Sequence, residues 1–338
     1  MKNLLRNSFL GFLVISAMVG CRKDTPVVEE ANETDSTTVV NNCQDLPPES
    51  GIGYQYEKNG PQYLAPCFNP NNSNEFVYLR TGTASVAELV KYDLLSNTET
   101  VLCNSINIIS KPDWGRTGWI IFTTADFHVW KIFEDGSGLQ QVTLEQAQKP
   151  IFDFEGERFL VMSHEVQLSN DFRPIYDLFG NLVDSVKYVF NNIYTGYPYY
   201  SLNSSFNTCF QFYSDHDYPG NSRIGICKIQ EDSLIQELNS FIYDGDIGSL
   251  VCANNAIYYS EYWGSIYKID LNTLITSIFK EGCQTQSDYV LSLSPDGNKM
   301  LVERMFFTLG ENMIVDEQHE IWLIDLTDPG KEEKILGE

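Results

Sequence analysis

Basic side chains are scarce in this chain. Its 338 residues carry 22 Lys and Arg against 46 Asp and Glu, a formal net charge of −24. Such a field repels phosphate backbones, which excludes nucleic acid as a natural partner. Histidine is scarcer still, at four positions: His128, His164, His216 and His319. His164-Glu165 and His319-Glu320 begin like a zinc-protease helix, but Leu168 and Leu323 stand where the second imidazole is needed, so that reading fails. No G-x-S-x-G elbow, phosphate-binding loop, G-x-G-x-x-G or C-x-x-C occurs. No catalytic, cofactor-binding or metal-binding residue is assigned, and no cofactor is expected. Long apolar runs are missing too. The longest near the start, Phe9–Val19, falls short of the ~20 residues needed to cross a bilayer.

That short run has a different use. Lys2 and Arg6 precede it, and Ala17-Met18-Val19-Gly20-Cys21 follows, so residues 1–20 read as a secretory signal. The small residues before Cys21 resemble the lipobox of bacterial lipoproteins, with Met18 where Leu is usual. That resemblance implies lipidation of Cys21 and membrane attachment through the N-terminal lipid alone. The alternative is ordinary cleavage with Cys21 a bystander. Residues 21–50 are polar, acidic and without apolar periodicity, the composition of a flexible tether. Arg22-Lys23-Asp24 loosely resembles the export signal of Bacteroidetes surface lipoproteins. Attachment at the outer membrane is expected, facing either the periplasm or the outside.

From residue 51 to 338 the chain repeats. Leu89-Val90-Lys91-Tyr92-Asp93, Val129-Trp130-Lys131-Ile132-Phe133, Ile266-Tyr267-Lys268-Ile269-Asp270 and Ile321-Trp322-Leu323-Ile324-Asp325 are short strands, most with an acidic end, and Ile226-Cys227-Lys228-Ile229-Gln230 is a weaker copy. Each leads through a polar turn into a returning strand. Each is preceded by a hairpin whose first strand begins near Pro66, Pro112, Pro150, Pro198, Leu250 or Pro295, at intervals of roughly 40–50 residues. Turns such as Ser294-Pro295-Asp296-Gly297 combine a fixed φ at Pro with the positive φ open to Gly. Four antiparallel strands, six times over, predict an all-β, six-bladed β-propeller of four-stranded blades, because radial stacking lets each unit cover faces it cannot bury alone. Gly53-Tyr54-Gln55-Tyr56 is expected to complete the last blade, and the passage from Phe172 to Tyr200 is the least regular.

Three stretches carry a family resemblance. Lys111-Pro112-Asp113-Trp114-Gly115 and Leu293-Ser294-Pro295-Asp296-Gly297, with Asp135-Gly136-Ser137-Gly138-Leu139-Gln140-Gln141-Val142-Thr143, resemble the WD40-like (PD40) repeats of TolB-type propellers. The resemblance implies the fold. It leaves function open, since such propellers serve as binding platforms and as accessory domains of hydrolases.

Remaining candidates are modest. Cys209 and Cys227 lie symmetrically about Tyr218 and could face one another across a hairpin as a disulfide, or stay as buried thiols. Ser214–Asn221 and Asp244-Gly245-Asp246 gather oxygen ligands without calcium-loop spacing and read as solvated turns. The aromatic run Tyr188, Phe190, Tyr194, Tyr197, Tyr199 and Tyr200 suits blade packing or a recognition surface. The expected role is a cell-envelope binding or protein-interaction platform, its partner an envelope protein or a glycan. The alternative is an envelope hydrolase or lyase with its site at the propeller axis. A structural member of an envelope complex is a third possibility.

Overall fold

The computed structural model describes residues 55–58, 60–82, 86–163, 172–187, 200–202, 209–215, 223–230, 233–242, 247–253, 255–261, 265–282, 285–309 and 314–337. Cys21, His164, His216, the Asp244–Asp246 pair and the aromatics from Tyr188 to Tyr199 lie outside them.

Among the described residues all regular structure is β, in six sheets. Strand β1 (Gln55–Lys58) precedes the first sheet, which runs β2 (Gln62–Asn69), β3 (Asn72–Thr81), β4 (Glu88–Asp93), β5 (Thr98–Cys103). The second is β6 (Asp113–Trp114), β7 (Trp119–Thr123), β8 (Val129–Phe133), β9 (Gln140–Gln141), and the third is β10 (Ala147–Phe152), β11 (Arg158–Ser163), β12 (Phe172–Asp177), β13 (Leu182–Lys187). The fourth comprises β14 (Tyr200–Leu202), β15 (Cys209–Asp215), β16 (Arg223–Gln230), β17 (Ser233–Ile242), and the fifth β18 (Ile247–Ala253), β19 (Ala256–Glu261), β20 (Ile266–Asp270), β21 (Thr276–Lys280). The last holds β22 (Gln286–Leu293), β23 (Lys299–Leu309), β24 (Ile314–Asp325) and β25 (Glu332–Leu336), with β1 added.

Apart from β1, each sheet is an antiparallel meander, and neighbouring sheets meet through their first strands, β2 beside β6 and β22, β10 beside β6 and β14, β18 beside β14 and β22. The arrangement is a β-propeller.

The expectation of six four-stranded blades needs correcting. Five sheets have four strands; the last has five. Its β24 is twice the usual length, and two short strands share one of its edges. β1 pairs in parallel with Ile314–Glu317, and β25 pairs antiparallel with Ile321–Ile324. The N-terminal run thus joins the last blade as an extra strand rather than completing it. The first part of the irregular passage, Phe172–Lys187, supplies the two outer strands of the third sheet.

The strands are apolar on both faces because each sheet lies between two others. In β3, Val77 and Leu79 pack towards the second sheet with Ile120 and Phe122, while Phe76 and Tyr78 pack towards the last sheet with Leu301 and Ile321. In β23, Met300 and Val302 meet Tyr258 of the fifth sheet, and Leu301 turns to the first. Alternation of side chains along a strand thereby serves two neighbours. Side chains such as Phe76, Phe122 and Leu301 have no exposed surface, and complete burial of each is worth ~1.5–3 kcal/mol.

The acidic residue ending most third strands also has a physical role. Asp93 Oδ1 accepts the N–H groups of Leu95 and Ser96, Asp270 Oδ1 those of Asn272 and Thr273, Asp177 Oδ1 those of Phe179 and Asn181, and Asp325 Oδ1 that of Thr327. Each closes the turn into the fourth strand. In the second sheet Asp135, two residues past β8, does this for Ser137.

Candidate ligand-binding cavity on the ring axis

The first strands of the sheets do not run straight. β2 slips register between Leu64 and Cys67, β10 between Gln148 and Ile151, β18 between Ile247 and Ser249, and β22 between Asp288 and Val290. In the second sheet the chain leaves the ladder between the Ile108–Thr124 bridge and Asp113. Three of these breaks are X-Pro steps: Ala65-Pro66, Lys111-Pro112 and Lys149-Pro150. Proline has no N–H for the ladder, which is why the break falls there. Ala65 and Lys149 take positive φ (51° and 48°), a conformation costing ~1–3 kcal/mol outside glycine unless neighbours hold it.

Neighbours do hold it. The Ala65 N–H donates to Glu303 Oε2 at 2.7 Å, and the Lys149 N–H donates to Thr123 Oγ1 at 3.1 Å. At the break in β22, Ser260 Oγ donates to the Tyr289 carbonyl at 2.8 Å. Thr123, Ser260 and Glu303 occupy the same place, four residues beyond the paired start of the second strand of the preceding sheet. All three are buried. A polar latch therefore recurs, joining the second strand of one blade to the kinked first strand of the next. Its signal is present in the sequence: apolar runs ending in one polar residue, as in Trp119-Ile120-Ile121-Phe122-Thr123. Further links go between first strands: Phe68 N–H to Ser292 Oγ (3.0 Å), Leu291 N–H to Ser249 Oγ (3.2 Å) and Phe152 N–H to Asp113 Oδ2 (2.6 Å).

These kinked strands surround a cavity of about 780 Å³, large enough for a small-molecule ligand. Its carboxylates are committed to the scaffold. Asp113 holds the Phe152 N–H and the Cys67 thiol (3.9 Å), and burial raises its pKa. Asp153 takes the N–H of Glu157 and the guanidinium of Arg158 (3.1 Å). Glu303 holds Ala65 and, through Oε1, His319 Nδ1 at 2.7 Å. His319 Nε2 lies 2.5 Å from Glu317 Oε1, and the backbone N–H of His319 donates to Gln62 Oε1. Burial disfavours the imidazolium, but the hydrogen bonds to Glu303 and Glu317 prevail and raise the pKa. With a carboxylate on each ring nitrogen, His319 is a clamp between β2, β23 and β24.

The cations of the cavity are differently placed. Lys111, two residues before β6, and Lys149, in β10, stand at matching positions of neighbouring blades, each before a proline. Lys111 Nζ donates to the carbonyl of Leu291, 2.7 Å away. Burial lowers the pKa of the Lys149 ammonium. Arg116, in the first turn of the second sheet, stacks its guanidinium 3.7 Å over the Phe154 ring of the third. Neighbouring turns are tied together, Asn71 Nδ2 donating to the Arg116 carbonyl and Thr117 Oγ1 to that of Gly156.

Cys67 and Cys252 also line the cavity, their thiols pushed up to about 12 and about 11, mainly by burial, so neither is a nucleophile at neutral pH. His128, beside Asp126, is not part of the wall. Cys209 and Cys227 are not directly opposed as the sequence suggested: Cys209 pairs with Ile229 and Cys227 with Gln211, a two-residue offset, and their side chains lie outside the described residues. Among the described residues no group of His, Cys, Asp and Glu is arranged to hold a metal ion. Sequence reasoning missed Lys111, Lys149 and Arg116; the repeated Lys-Pro step was their signal.

Solved structures share the architecture. The β-propeller domain of the trilobed protease from Pyrococcus furiosus aligns with a TM-score of 0.53 at 8% identity, over 82% of this chain and 98% of that one. An acylaminoacyl peptidase from Pyrococcus horikoshii aligns with a TM-score of 0.51 at 11% identity, covering 81% of this chain and 52% of its own. A puromycin hydrolase gives 0.51 at 11% identity, 81% and 53%. This chain thus spans about half the length of those two proteins, and the likeness is one of fold. No family model matches the sequence, and no curated protein does.

Proposed function

We propose that this propeller is a binding module of the bacterial cell envelope that takes its ligand or partner into the axial cavity. The observation carrying this reading is the division of labour in the cavity wall. Asp113 and Glu303 are spent on holding blades together and Asp153 on closing the first turn of its own blade, while a cavity of about 780 Å³ is left between them. A catalytic acid and base need freedom to exchange protons with a substrate. A binding wall needs only fixed donors and shape.

Attachment belongs to the same proposal. Lipid on Cys21 and a tether over residues 21–50 would hold the propeller, with its repeats of TolB type, near the outer membrane. Mass spectrometry of the native N-terminus tests the lipid; an unmodified Cys21 removes the anchor.

The cavity reading is tested by filling it. Ile151 lines the wall and is half-buried, so Ile151→Trp should abolish capture of the partner from crosslinked envelope fractions while circular dichroism stays unchanged. Leu182→Asp on the exposed third-sheet edge should leave capture intact. The reverse outcome defeats the reading.

A second reading is an envelope hydrolase or lyase, favoured by the presence of Glu303 and His319 together on the cavity wall. It requires His319 to release one of its two carboxylates. Turnover of a glycan or peptide library, lost in His319→Gln with the fold retained, would establish it.

A further inference from the structure

From the groups lining the axial cavity we infer that its ligand is a small multivalent anion, bearing carboxylate or phosphate groups, held by Lys111, Lys149 and Arg116. This inference rests on the cavity-binding reading above and names its ligand class.

Charge makes the first part of the case. A chain with 46 acidic and 22 basic side chains brings three of the latter to one cavity. The carboxylates of the wall are turned into the scaffold: Asp113 towards Phe152 and Cys67, Asp153 towards Arg158, Glu303 towards Ala65 and His319. Lys111 Nζ donates to the neutral Leu291 carbonyl, with the Asp113 carboxylate close enough to interact with its charge. Placing ammonium groups in a partly desolvated cavity is costly, and an anionic ligand offsets that cost.

Hydrogen-bonding capacity makes the second part. Trp114 also lines the cavity, and its indole Nε1–H is buried without a hydrogen-bond partner among the described residues. A buried donor left unmade costs ~1–3 kcal/mol, and such groups in native proteins call for an explanation. A ligand rich in acceptor oxygens supplies one. Lysine, arginine and indole N–H groups donate and do not accept. Together they form a wall of donors.

The kinks explain how the cations come to be there. At Lys111-Pro112 and Lys149-Pro150 the strand leaves its ladder, and the latch from Thr123 fixes the Lys149 backbone in its strained form. Both lysines are thereby set by the scaffold at the same level of adjacent blades. Such preorganisation lowers the cost of ordering side chains on binding.

The test is calorimetric titration of the detergent-solubilised full-length protein with citrate and with inorganic phosphate, sorbitol serving as the neutral control. Saturable citrate or phosphate binding is expected, weakening as salt rises. Lys149→Gln and Lys111→Gln should each weaken it by about tenfold or more, and Trp114→Phe by several-fold. Lys331→Gln, on an exposed turn of the last sheet, should change nothing. Should a lysine variant misfold, reductive methylation of the wild type still decides, since bound citrate must slow modification of Lys111 and Lys149. Absence of saturable binding by both anions overturns the inference, as does binding indifferent to Lys111 and Lys149 with methylation unprotected. If Ile151→Trp abolishes partner capture while both anions fail to bind, the cavity reading stands and the anion falls. If the anions bind through Lys149 while Ile151→Trp still captures its partner, the anion site stands alone.

Discussion

The backbone N–H of Ala65 and the Oε2 of Glu303 lie 2.7 Å apart across 238 residues of sequence. One belongs to the first strand of the first sheet and the other to the second strand of the last. A ring of sheets has one seam where sequence neighbours cannot supply the contact, and this bond sits on it. The same carboxylate holds His319, whose N–H is held by Gln62 of β2. Three strands, β2, β23 and β24, are thus tied by one buried cluster.

Glu303→Ala should therefore cost far more than an average substitution. It strands the Ala65 N–H and leaves the buried His319 ring with one of its two carboxylates, a loss of about 3–5 kcal/mol. Glu303→Gln keeps an acceptor for Ala65 and should cost about 1–3 kcal/mol. Urea unfolding checks both, and equal losses would show that charge has no part in the seam.

The latches elsewhere in the ring are neutral, and smaller effects follow. Thr123→Val and Ser260→Ala each remove one buried hydrogen bond to the next blade, and each should cost about 1–2 kcal/mol. Thr123→Val should also raise local hydrogen exchange at Lys149, the residue it supports.

Stability should fall off on both sides of neutrality, for different reasons. Hydrogen bonds from turn N–H or hydroxyl groups hold Asp93, Asp270 and Asp325 below the ordinary carboxylate value of 3.8. A depressed folded pKa contributes stability above pH 3.8 that is lost as pH falls through the folded values. Buried Asp113, with its raised pKa, opposes this trend. His319 has the opposite sign from the turn aspartates: raised above 6.5, it contributes stability in full below 6.5 and loses it as pH rises through the folded value. Melting temperature against pH checks this, and Glu303→Gln should flatten the alkaline limb alone.

Gly156 tests the turns at the cavity rim. Its φ is +73°, and a Cβ there would lie 2.5 Å from the Arg116 backbone nitrogen. Gly156→Ala should destabilise by more than about 1 kcal/mol. Gly330→Ala, at ordinary φ with Asp328 3.4 Å away, should be near neutral.

Much of the architecture was legible in the sequence for a physical reason. Val129–Phe133 and Ile266–Asp270 are strands with the bounds their apolar pattern gave, because that pattern reports burial between two sheets. Asp270 and Asp325 were visible as acidic ends because their turns need an acceptor. Phe172–Asp177 escaped notice because Arg173 and Pro174 interrupt the apolar run that Ile175 and Tyr176 continue. The long arm of β24, with Asp316, Glu317, Gln318 and His319, reads as a polar loop, since its stability comes from pairing with β1 and β23 rather than from its own composition. The cavity was hidden for a similar reason: Lys111 and Lys149 look like turn residues before proline until the ring brings adjacent blades together.

The ring's closure through Glu303 is tested most directly by amide hydrogen exchange at Ala65, in the wild type and in Glu303→Ala. A closed seam predicts slow exchange at Ala65 in the wild type and a rise of a hundredfold or more in the variant, about 2.7 kcal/mol of lost protection. Fast exchange at Ala65 in the wild type, or equal rates in the two proteins, would contradict it.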